Sequence, residues 1–289
     1  MSHTPAHCRA GAPAEHTGHH HASDQAEILD LDADVLARHT ASIAAWLPVE
    51  AAPRHILDLG CGTGAGTLTL LERFPTARVT AVDASTTHLD RLREHAAAAG
   101  AADRVRLVEA DLDATPWPGL DPPDLVWASA SLHHLADPDR ALRQVRELLA
   151  PQGLFAVVEL AGFPRFLPPD APREAPGLEE RFHGARDHHH AARLPHRGAD
   201  WGDKLTHAGF TLAGQRTVDV EIGPPAPEAV RRYALAGWTR MRGNAAATLD
   251  ARDLAAFDAL LDPGSPDGLL HRPDLTLRTR RQVWAARRG

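Results

Sequence analysis

The chain has 289 residues, a net charge of −7 at pH 7 and a pI near 6.2. An acidic protein does not attract nucleic acid or an anionic membrane, so neither is expected as a partner. Two cysteines predict no disulfide framework and fit a reducing compartment. We find no apolar run of about 20 residues and no signal-peptide core, so we expect a soluble, cytoplasmic protein.

Residues 1–24 contain few large apolar side chains and six histidines. A segment of this composition buries too little surface to offset its ordering entropy, so we predict a disordered, His-rich tail. Metal binding by its histidines, together with those of residues 183–196, stays open beside an incidental polar role. Neither run has the regular spacing of metal ligands, so we predict no metal site.

Apolar residues recur at helical spacing from Ile28 to Leu47, and prolines end this first helix. Strands and helices then alternate. The predicted strands are HILDLG, RVTAVDA, RVRLVEAD, PDLVWASA and LFAVVEL, and the predicted helices between them cover residues 64–74, 86–99 and 137–149. This alternation indicates an α/β fold with a doubly wound, mostly parallel sheet and helices on both faces.

The alternation is interrupted twice. Residues 161–198 are rich in proline and histidine, and residues 223–274 predict two amphipathic helices, the second capped by Asp250. We divide the chain into a disordered tail (1–24), a core with an N-terminal helix (25–160), a lid-like insertion (161–198), a continuation of the core (199–222), a helical cap insertion (223–274) and a last core strand (275–289).

A glycine-rich turn lies between the first strand and the next helix, in residues 54–74. Such a turn aims backbone N–H groups and a helix N-terminus at a ligand. Gly60, Gly62 and Ala65 also satisfy the dinucleotide pattern, and Asp83 has the spacing of its ribose-binding acid. The turn alone therefore leaves an NAD-dependent oxidoreductase open.

Three further features favour another cofactor. Asp58 stands two residues before Gly60, where a carboxylate suits a cationic amino-acid group rather than a pyrophosphate. Asp111 follows the third strand, where it can accept a hydrogen bond from an adenine amino group. The sheet ends in two strands, at 211–222 and 275–286, and we expect the last to be antiparallel.

Residues 54–160 resemble the core of class I S-adenosylmethionine-dependent methyltransferases, in particular the small-molecule, quinone-methyltransferase-like branch. The stretches that carry the resemblance are ILDLGCGTG, VTAVDAS, VRLVEADL and LVWASASLHHLADPDRALRQVRELLAPQGLFAVVE. The resemblance implies a Rossmann-like, seven-stranded sheet that is mostly parallel with an antiparallel last strand, plus helical cap insertions. It also implies S-adenosylmethionine as cofactor and S-adenosylhomocysteine as product.

The resemblance assigns cofactor-binding roles to matched residues. The candidates are Asp58, Gly60, Cys61, Gly62, Gly64, Asp83, Ala84, Asp111, Leu112 and Ser129. The glycines would shape the turn around the methionine part, with Asp58 near its amino group. Asp83 would bind the ribose hydroxyls, and Asp111 and Leu112 would contact adenine. Simpler interpretations remain open. Asp58 could only accept hydrogen bonds from backbone N–H groups of the turn, and Asp83 could be an ordinary carboxylate at the end of a strand.

The segment from Ser129 to His134 follows the fourth strand and would line the methyl-transfer site. His133 and His134 are the candidate catalytic residues, because a histidine can accept a proton near neutral pH. Either could instead pack against the cofactor, and we prefer His134 as a residue lining the site. The DPPD stretch at 121–124 precedes the fourth strand. In methyltransferases that act on DNA or on amide nitrogens, a similar proline motif follows the fourth strand, so DPPD does not match it.

The sequence thus predicts methyl transfer to a small, partly apolar acceptor that binds beneath residues 161–198 and 223–274 and near the N-terminal helix. The alternative is a non-catalytic regulatory or scaffold protein that binds the same cofactor. A homodimer is compatible with the sequence, which does not identify the acceptor.

Overall fold

The computed structural model of the protein describes residues 16–190 and 194–288. The strands are β1 (His55–Leu59), β2 (Arg78–Asp83), β3 (Val105–Glu109), β4 (Leu125–Ser129), β5 (Leu154–Leu160), β6 (Phe210–Ile222) and β7 (Leu277–Arg288). The helices are α1 (His16–Trp46), α2 (Ala65–Arg73), α3 (Thr86–Ala98), α4 (Pro138–Leu148), α5 (Leu178–His190), α6 (Trp201–His207), α7 (Glu228–Thr248) and α8 (Ala251–Leu261). None of these described helices is long and apolar enough to cross a membrane.

All seven strands belong to one sheet with the order β3-β2-β1-β4-β5-β7-β6. Strands β1 to β5 are parallel, whereas β7 is antiparallel to both of its neighbours, β5 and β6. This arrangement confirms the predicted doubly wound fold with an antiparallel last strand. The order of the strands reverses at β1, and doubly wound sheets bind ligands at such a point.

The central strands are buried on both faces, as parallel strands covered by helices must be. In β1 the residues from Ile56 to Leu59 are at most 2% exposed, and β4 and β5 are buried almost throughout. Within β1, Leu59 lies opposite Val82 of β2 and Ala128 of β4. The next residues of all three strands therefore meet at one edge of the sheet.

The α1 helix differs from its prediction at the N-terminal end. It begins at His16, whereas we expected disorder over residues 1–24 and apolar periodicity from Ile28. Once the packed part of a helix has formed, each further residue adds a hydrogen bond without a new nucleation cost. A polar stretch can therefore extend a helix that its own composition would not start. Residues 1–15 of the predicted tail lie outside the described residues.

The two insertions pack together as a helical layer, which we call the cap (α5, α7 and α8). Trp238 of α7 stacks on Phe257 of α8 with ring centroids 4.7 Å apart, and Phe182 of α5 meets Phe257 edge-on at 5.2 Å. The predicted N-cap is confirmed, since the Asp250 side chain accepts a hydrogen bond from the Asp253 N–H. The side chains of residues 188–190, three of the histidines considered for metal binding, lie outside the described part of the chain.

Candidate functional site

A cavity of about 390 Å³ lies at the edge where β1, β2 and β4 end. Its volume falls within the range of small-molecule sites, and its position is the switch point of the sheet. Its walls come from the β1–α2 turn, the ends of β2 and β4, the loop after β3, and the first half of α1. We call it the outer cavity.

The β1–α2 turn is held against β2 by its backbone. The N–H groups of Gly60 and Cys61 both donate to the Val82 carbonyl, at 2.8 and 3.0 Å. Gly60 has a φ of +66°, and a Cβ added there would lie 2.4 Å from the Cβ of Ser131. Glycine is therefore required at this position, both by its conformation and by the close approach of the loop after β4.

Gly64 shapes the end of the turn where α2 begins. It is not part of the cavity wall but caps α2 with a φ of +97°. A Cβ added at this position would lie 2.2 Å from Cδ1 of Leu92. The close packing of α3 against the turn requires this glycine, whereas Gly60, Cys61 and Gly62 line the cavity itself.

Asp83 ends β2 and holds the turn with its carboxylate. Oδ2 accepts a hydrogen bond from the Gly62 N–H at 2.9 Å, and Oδ1 accepts one from the Ser85 N–H at 2.9 Å. The Nδ1 of His88 lies 3.2 Å from Oδ1. Burial raises the pKa of Asp83, but these hydrogen bonds outweigh it and bring the pKa below its usual value. The carboxylate is therefore ionised at neutral pH.

Asp58 lines the same cavity but is far more buried, at 2% exposure. Its Oδ2 accepts a hydrogen bond from the Thr67 hydroxyl at 2.6 Å. Burial raises the pKa of Asp58 to about 7, the nearby charge of Asp83 adds to the rise, and the Thr67 hydrogen bond opposes it. The carboxylate is thus poised to ionise when a cation comes near.

The other predicted cofactor residues also line the outer cavity. Ala84 follows Asp83, Ser129 ends β4, and Leu112 is buried in the wall formed by the loop after β3. Asp111 is exposed, and its Oδ1 accepts a hydrogen bond from the Asp113 N–H at 2.8 Å. A carboxylate at this exposed rim keeps lone pairs available to a ligand.

The structure separates the two candidate histidines, which lie in a short 3-10 helix, Leu132–His134. The His133 side chain is buried away from the cavity, and its Nδ1 lies 2.6 Å from Oε2 of Glu159. His134 lines the cavity, with its ring 4.1 Å from that of His133. Burial, followed by the charge of His133, lowers the pKa of His134 to about 4, so its imidazole is neutral at neutral pH.

Several cavity residues had no signal in the sequence. Gln25, Leu29 and Asp32 of α1 form one wall, and Trp127 of β4 another. The sequence predicted that the N-terminal helix contributes to the site, but it did not identify these three residues. Trp127 reads as an ordinary core residue, yet its buried Nε1 has no hydrogen-bond partner among the described residues.

The outer cavity is lined by acidic rather than by Lys or Arg side chains. Five aspartates line it, namely Asp32, Asp58, Asp83, Asp111 and Asp113, and no Lys or Arg is among the described residues of its wall. Within the described part of the chain, no three His, Cys, Asp or Glu side chains converge as a metal site would require. Such a cavity attracts an organic cation and repels a pyrophosphate.

Comparison with known proteins finds similarity to methyltransferases. Residues 56–153 match the model of a methyltransferase domain. A trans-aconitate 2-methyltransferase of Paracidovorax citrulli is 38% identical over 125 residues, which are 43% of this chain and 45% of that protein. A malonyl-acyl-carrier-protein O-methyltransferase of Halorhodospira halophila is 32% identical over 229 residues, 77% of this chain and 64% of the relative. The chain therefore spans less than two-thirds of each relative.

Solved structures support the same fold. A protein from Bacillus halodurans, described as a methyltransferase, superposes with a TM-score of 0.55 at 14% identity, covering 86% of this chain and 98% of that one. The cyclase SpnF superposes with a TM-score of 0.51 at 21% identity, covering 88% and 81% of the two chains. At these identities the likeness concerns the fold alone, and a cyclase shares it. The quinone-methyltransferase-like branch stays a prediction.

Proposed function

Because the chain belongs to the class I S-adenosylmethionine-dependent methyltransferase family, we propose that it transfers a methyl group from S-adenosylmethionine to a small-molecule acceptor. The observation that carries the proposal is the outer cavity with its five aspartates and no Lys or Arg in its described wall. S-Adenosylmethionine has a positive sulfonium and a positive ammonium group, which this cavity would stabilise. The pyrophosphate of NAD would instead meet aspartates, with no Lys or Arg in the described wall.

The residues of the outer cavity fit this cofactor. Asp83 is held by the Gly62 and Ser85 N–H groups with its oxygens at the cavity wall, where they would accept from two ribose hydroxyls. Asp58 would pair with the ammonium group, and Asp111 and Leu112 would contact adenine. When bound, the cofactor supplies a methyl group attached to a sulfonium. The protein's own residues position the acceptor and exclude water.

The α1 helix would close the site. Leu29 approaches the turn so closely that a Cβ added to Gly62 would lie 3.2 Å from its Cδ1. The same part of α1 is bound to α3, where Arg91 Nε lies 2.9 Å from Oδ2 of Asp30. A cofactor beneath this helix would be shielded from solvent, as a reactive sulfonium requires.

The role of His134 in this proposal is to line the site. A general base is most effective when its pKa lies near the working pH, and a pKa of about 4 makes His134 a weak base. His133 is occupied by Glu159 and buried. Methyl transfer is therefore proposed to an acceptor atom that needs no deprotonation by either histidine.

We take organic acids as the acceptors to test first. The two relatives are named for trans-aconitate and for a malonyl group on acyl-carrier protein, and both of these acceptors carry a carboxylate. A carboxylate is already anionic at neutral pH and needs no base. A homodimer and a cytoplasmic location stay predictions from the sequence.

The test is calorimetric titration of the purified chain with S-adenosylmethionine, S-adenosylhomocysteine and NAD. Binding of the two sulfur compounds without NAD is the expected result, and NAD alone would overturn the proposal. Transfer of a radiolabelled methyl group to trans-aconitate, malonate and other acids then measures turnover. If the cofactor binds and no small molecule is methylated, the alternative of a non-catalytic binding protein replaces the enzyme.

A further inference from the structure

A second, smaller cavity of about 60 Å³ lies beneath α1 and borders the outer cavity. We call it the inner cavity. Asp32, Trp127 and Ser129 belong to the walls of both cavities. The inner cavity reaches further across the sheet, to His39 of α1 and Arg281 of β7. A group bound there would therefore be next to the proposed methyl donor and on the side of the cap.

Arg281 is the single Lys or Arg among the described residues of the inner cavity wall. Its side chain is 8% exposed. Nη1 donates to the Thr279 hydroxyl at 2.9 Å, and Nη2 donates to Oδ1 of Asp32 at 3.2 Å. A guanidinium has five N–H donors, so these two contacts leave donors for an anion. A buried cation beside a cavity strongly attracts a carboxylate.

Two further ring nitrogens meet the same cavity. The Nε1 of Trp127 is buried without a hydrogen-bond partner among the described residues, although Trp127 is only 1% exposed. An indole N–H can only donate. The Nδ1 of His39 is likewise buried and unpartnered in the described structure. Burial, followed by the charges of Arg38 and Arg281, lowers the pKa of His39, so it can donate from a neutral ring.

Asp32 opposes this set of donors. Its Oδ1 accepts from Arg281 and, at 2.6 Å, from the hydroxyl of Tyr233 in α7. The carboxylate thus neutralises the guanidinium, and Tyr233 shares it. A ligand carboxylate that entered the cavity would compete with Asp32 for Arg281. The competition determines which acceptors bind, because an uncharged acceptor cannot displace a carboxylate from a guanidinium.

We propose, resting on the proposed function, that the inner cavity binds a carboxylate of the methyl acceptor through Arg281 and the Nε1 of Trp127. Arg281 is then the residue that selects anionic acceptors. The volume admits a group of a few atoms, since one water needs only about 10–15 Å³. A single planar guanidinium matches the two oxygens of a carboxylate. The cofactor also has a carboxylate, and the experiment separates these two sources.

The experiment titrates trans-aconitate and malonate into the protein loaded with S-adenosylhomocysteine. Arg281→Gln is expected to weaken acid binding by roughly 10- to 150-fold, the range for a hydrogen bond to a charged group. Its affinity for S-adenosylhomocysteine should stay within about twofold, which also shows that the variant is folded. Arg280→Gln is the matched control, because Arg280 is exposed and pairs with Asp219. It should bind both ligands like the wild type.

Asp32→Asn distinguishes recognition from a structural ion pair. If Arg281 binds the acceptor, removing its competitor should strengthen acid binding several-fold. If the ion pair of Arg281 and Asp32 only supports the fold, Arg281→Gln and Asp32→Asn should both weaken acid binding. That result would overturn the proposal. A large loss of S-adenosylhomocysteine affinity in Arg281→Gln would overturn it too, because the carboxylate would then be the cofactor's.

The wild-type protein separates this inference from the proposed function. If S-adenosylhomocysteine binds but neither acid does, the carboxylate subsite is wrong while the cofactor assignment stands. If S-adenosylhomocysteine itself fails to bind, the proposed function is wrong. Acid binding then serves as a separate test of the inner cavity, with Arg281→Gln again compared with Arg280→Gln.

Discussion

The outer and inner cavities share a wall but are built in different ways. The outer cavity depends on contacts between nearby parts of the chain, such as the Gly62 N–H and Asp83, which are 21 residues apart. The inner cavity depends on side chains that come from distant parts. Asp32 is 201 residues from Tyr233 and 249 from Arg281. Local patterns can therefore encode the turn and the strand ends of the outer cavity, whereas the inner cavity also needs β7, near the other end of the chain.

The two cavities also differ in what holds them. Backbone N–H groups, glycine conformations and strand ends shape the outer cavity, so its geometry tolerates few changes of the main chain. A cluster of buried polar side chains shapes the inner cavity, so single side-chain changes should alter its selectivity. The difference suggests that the cofactor is fixed by the fold and the acceptor by a few residues, and four predictions test this.

The largest effect is expected from Gly60→Ala. The new Cβ would lie 2.4 Å from Ser131, at a φ of +66°. Overpacking together with an unfavourable φ should lower the free energy of unfolding by roughly 3 kcal/mol or more and distort the outer cavity. Gly100→Ala is the control, since Gly100 has a φ of +63° and open space around it. It should cost only about 1–2 kcal/mol. Equal losses in denaturant melts would refute the close-packing argument.

Asp83→Ala should weaken binding of S-adenosylhomocysteine by roughly 1.5–3 kcal/mol, because the ribose would lose hydrogen bonds to a charged group. Calorimetry measures the change. Asp137→Ala is a suitable comparison, since Asp137 also accepts from a backbone N–H, that of Arg140, but lies outside the cavity wall. It should lower stability and leave the affinity unchanged. Unaltered affinity in the Asp83 variant would show that the ribose assignment is wrong.

The affinity for S-adenosylmethionine should depend on pH through Asp58. The pKa of this carboxyl is about 7 in the free protein, and a cationic ligand binds its ionised form. Affinity should therefore fall as the pH is lowered, by about tenfold between pH 8 and pH 6. Asp58→Asn should remove this dependence. A wild-type protein with the same affinity at both pH values would contradict the pairing of Asp58 with the ligand.

The smallest effect is expected from Tyr233→Phe, which removes the hydroxyl that donates to Asp32. The free energy of unfolding should fall by about 1 kcal/mol, because Asp32 keeps Arg281 as a partner. Affinity for S-adenosylhomocysteine should not change, since Tyr233 is not part of the outer cavity wall. A loss of cofactor affinity would mean that the two cavities are less independent than their construction indicates.

The difference in construction explains what the sequence could predict. The sheet and one part of the outer cavity, its glycine turn and the acids at its strand ends, follow from local patterns, whereas the wall formed by α1 and Trp127 does not. The structure adds that Gly64 packs closely against Leu92 of α3, a contact that spacing does not reveal. His133 and His134 are adjacent, and only the 3-10 helix shows which one faces the cavity.

The inner cavity could not be predicted from the sequence, for another reason. Arg281 lies in the stretch LRTRRQVW beside two other arginines, and nothing in this sequence indicates that it is buried. In the structure β7 lies between β5 and β6, so Arg281 is 7% exposed and pairs in register with Leu160. Its partner Asp32 belongs to a helix at the other end of the chain. Such pairs depend on tertiary packing, which periodicity cannot show.

The position of β7 also bears on synthesis. A chain emerging from the ribosome presents β1 to β5 before β6 and β7, because synthesis proceeds from the N-terminus. Among the described strands β6 has no neighbour except β7, so it cannot join the sheet before β7 is made. Until then, β5 exposes an unpaired edge. The strands that border the outer cavity, β1, β2 and β4, would therefore be available first. Closure of the sheet and assembly of the inner cavity would be one and the same late event.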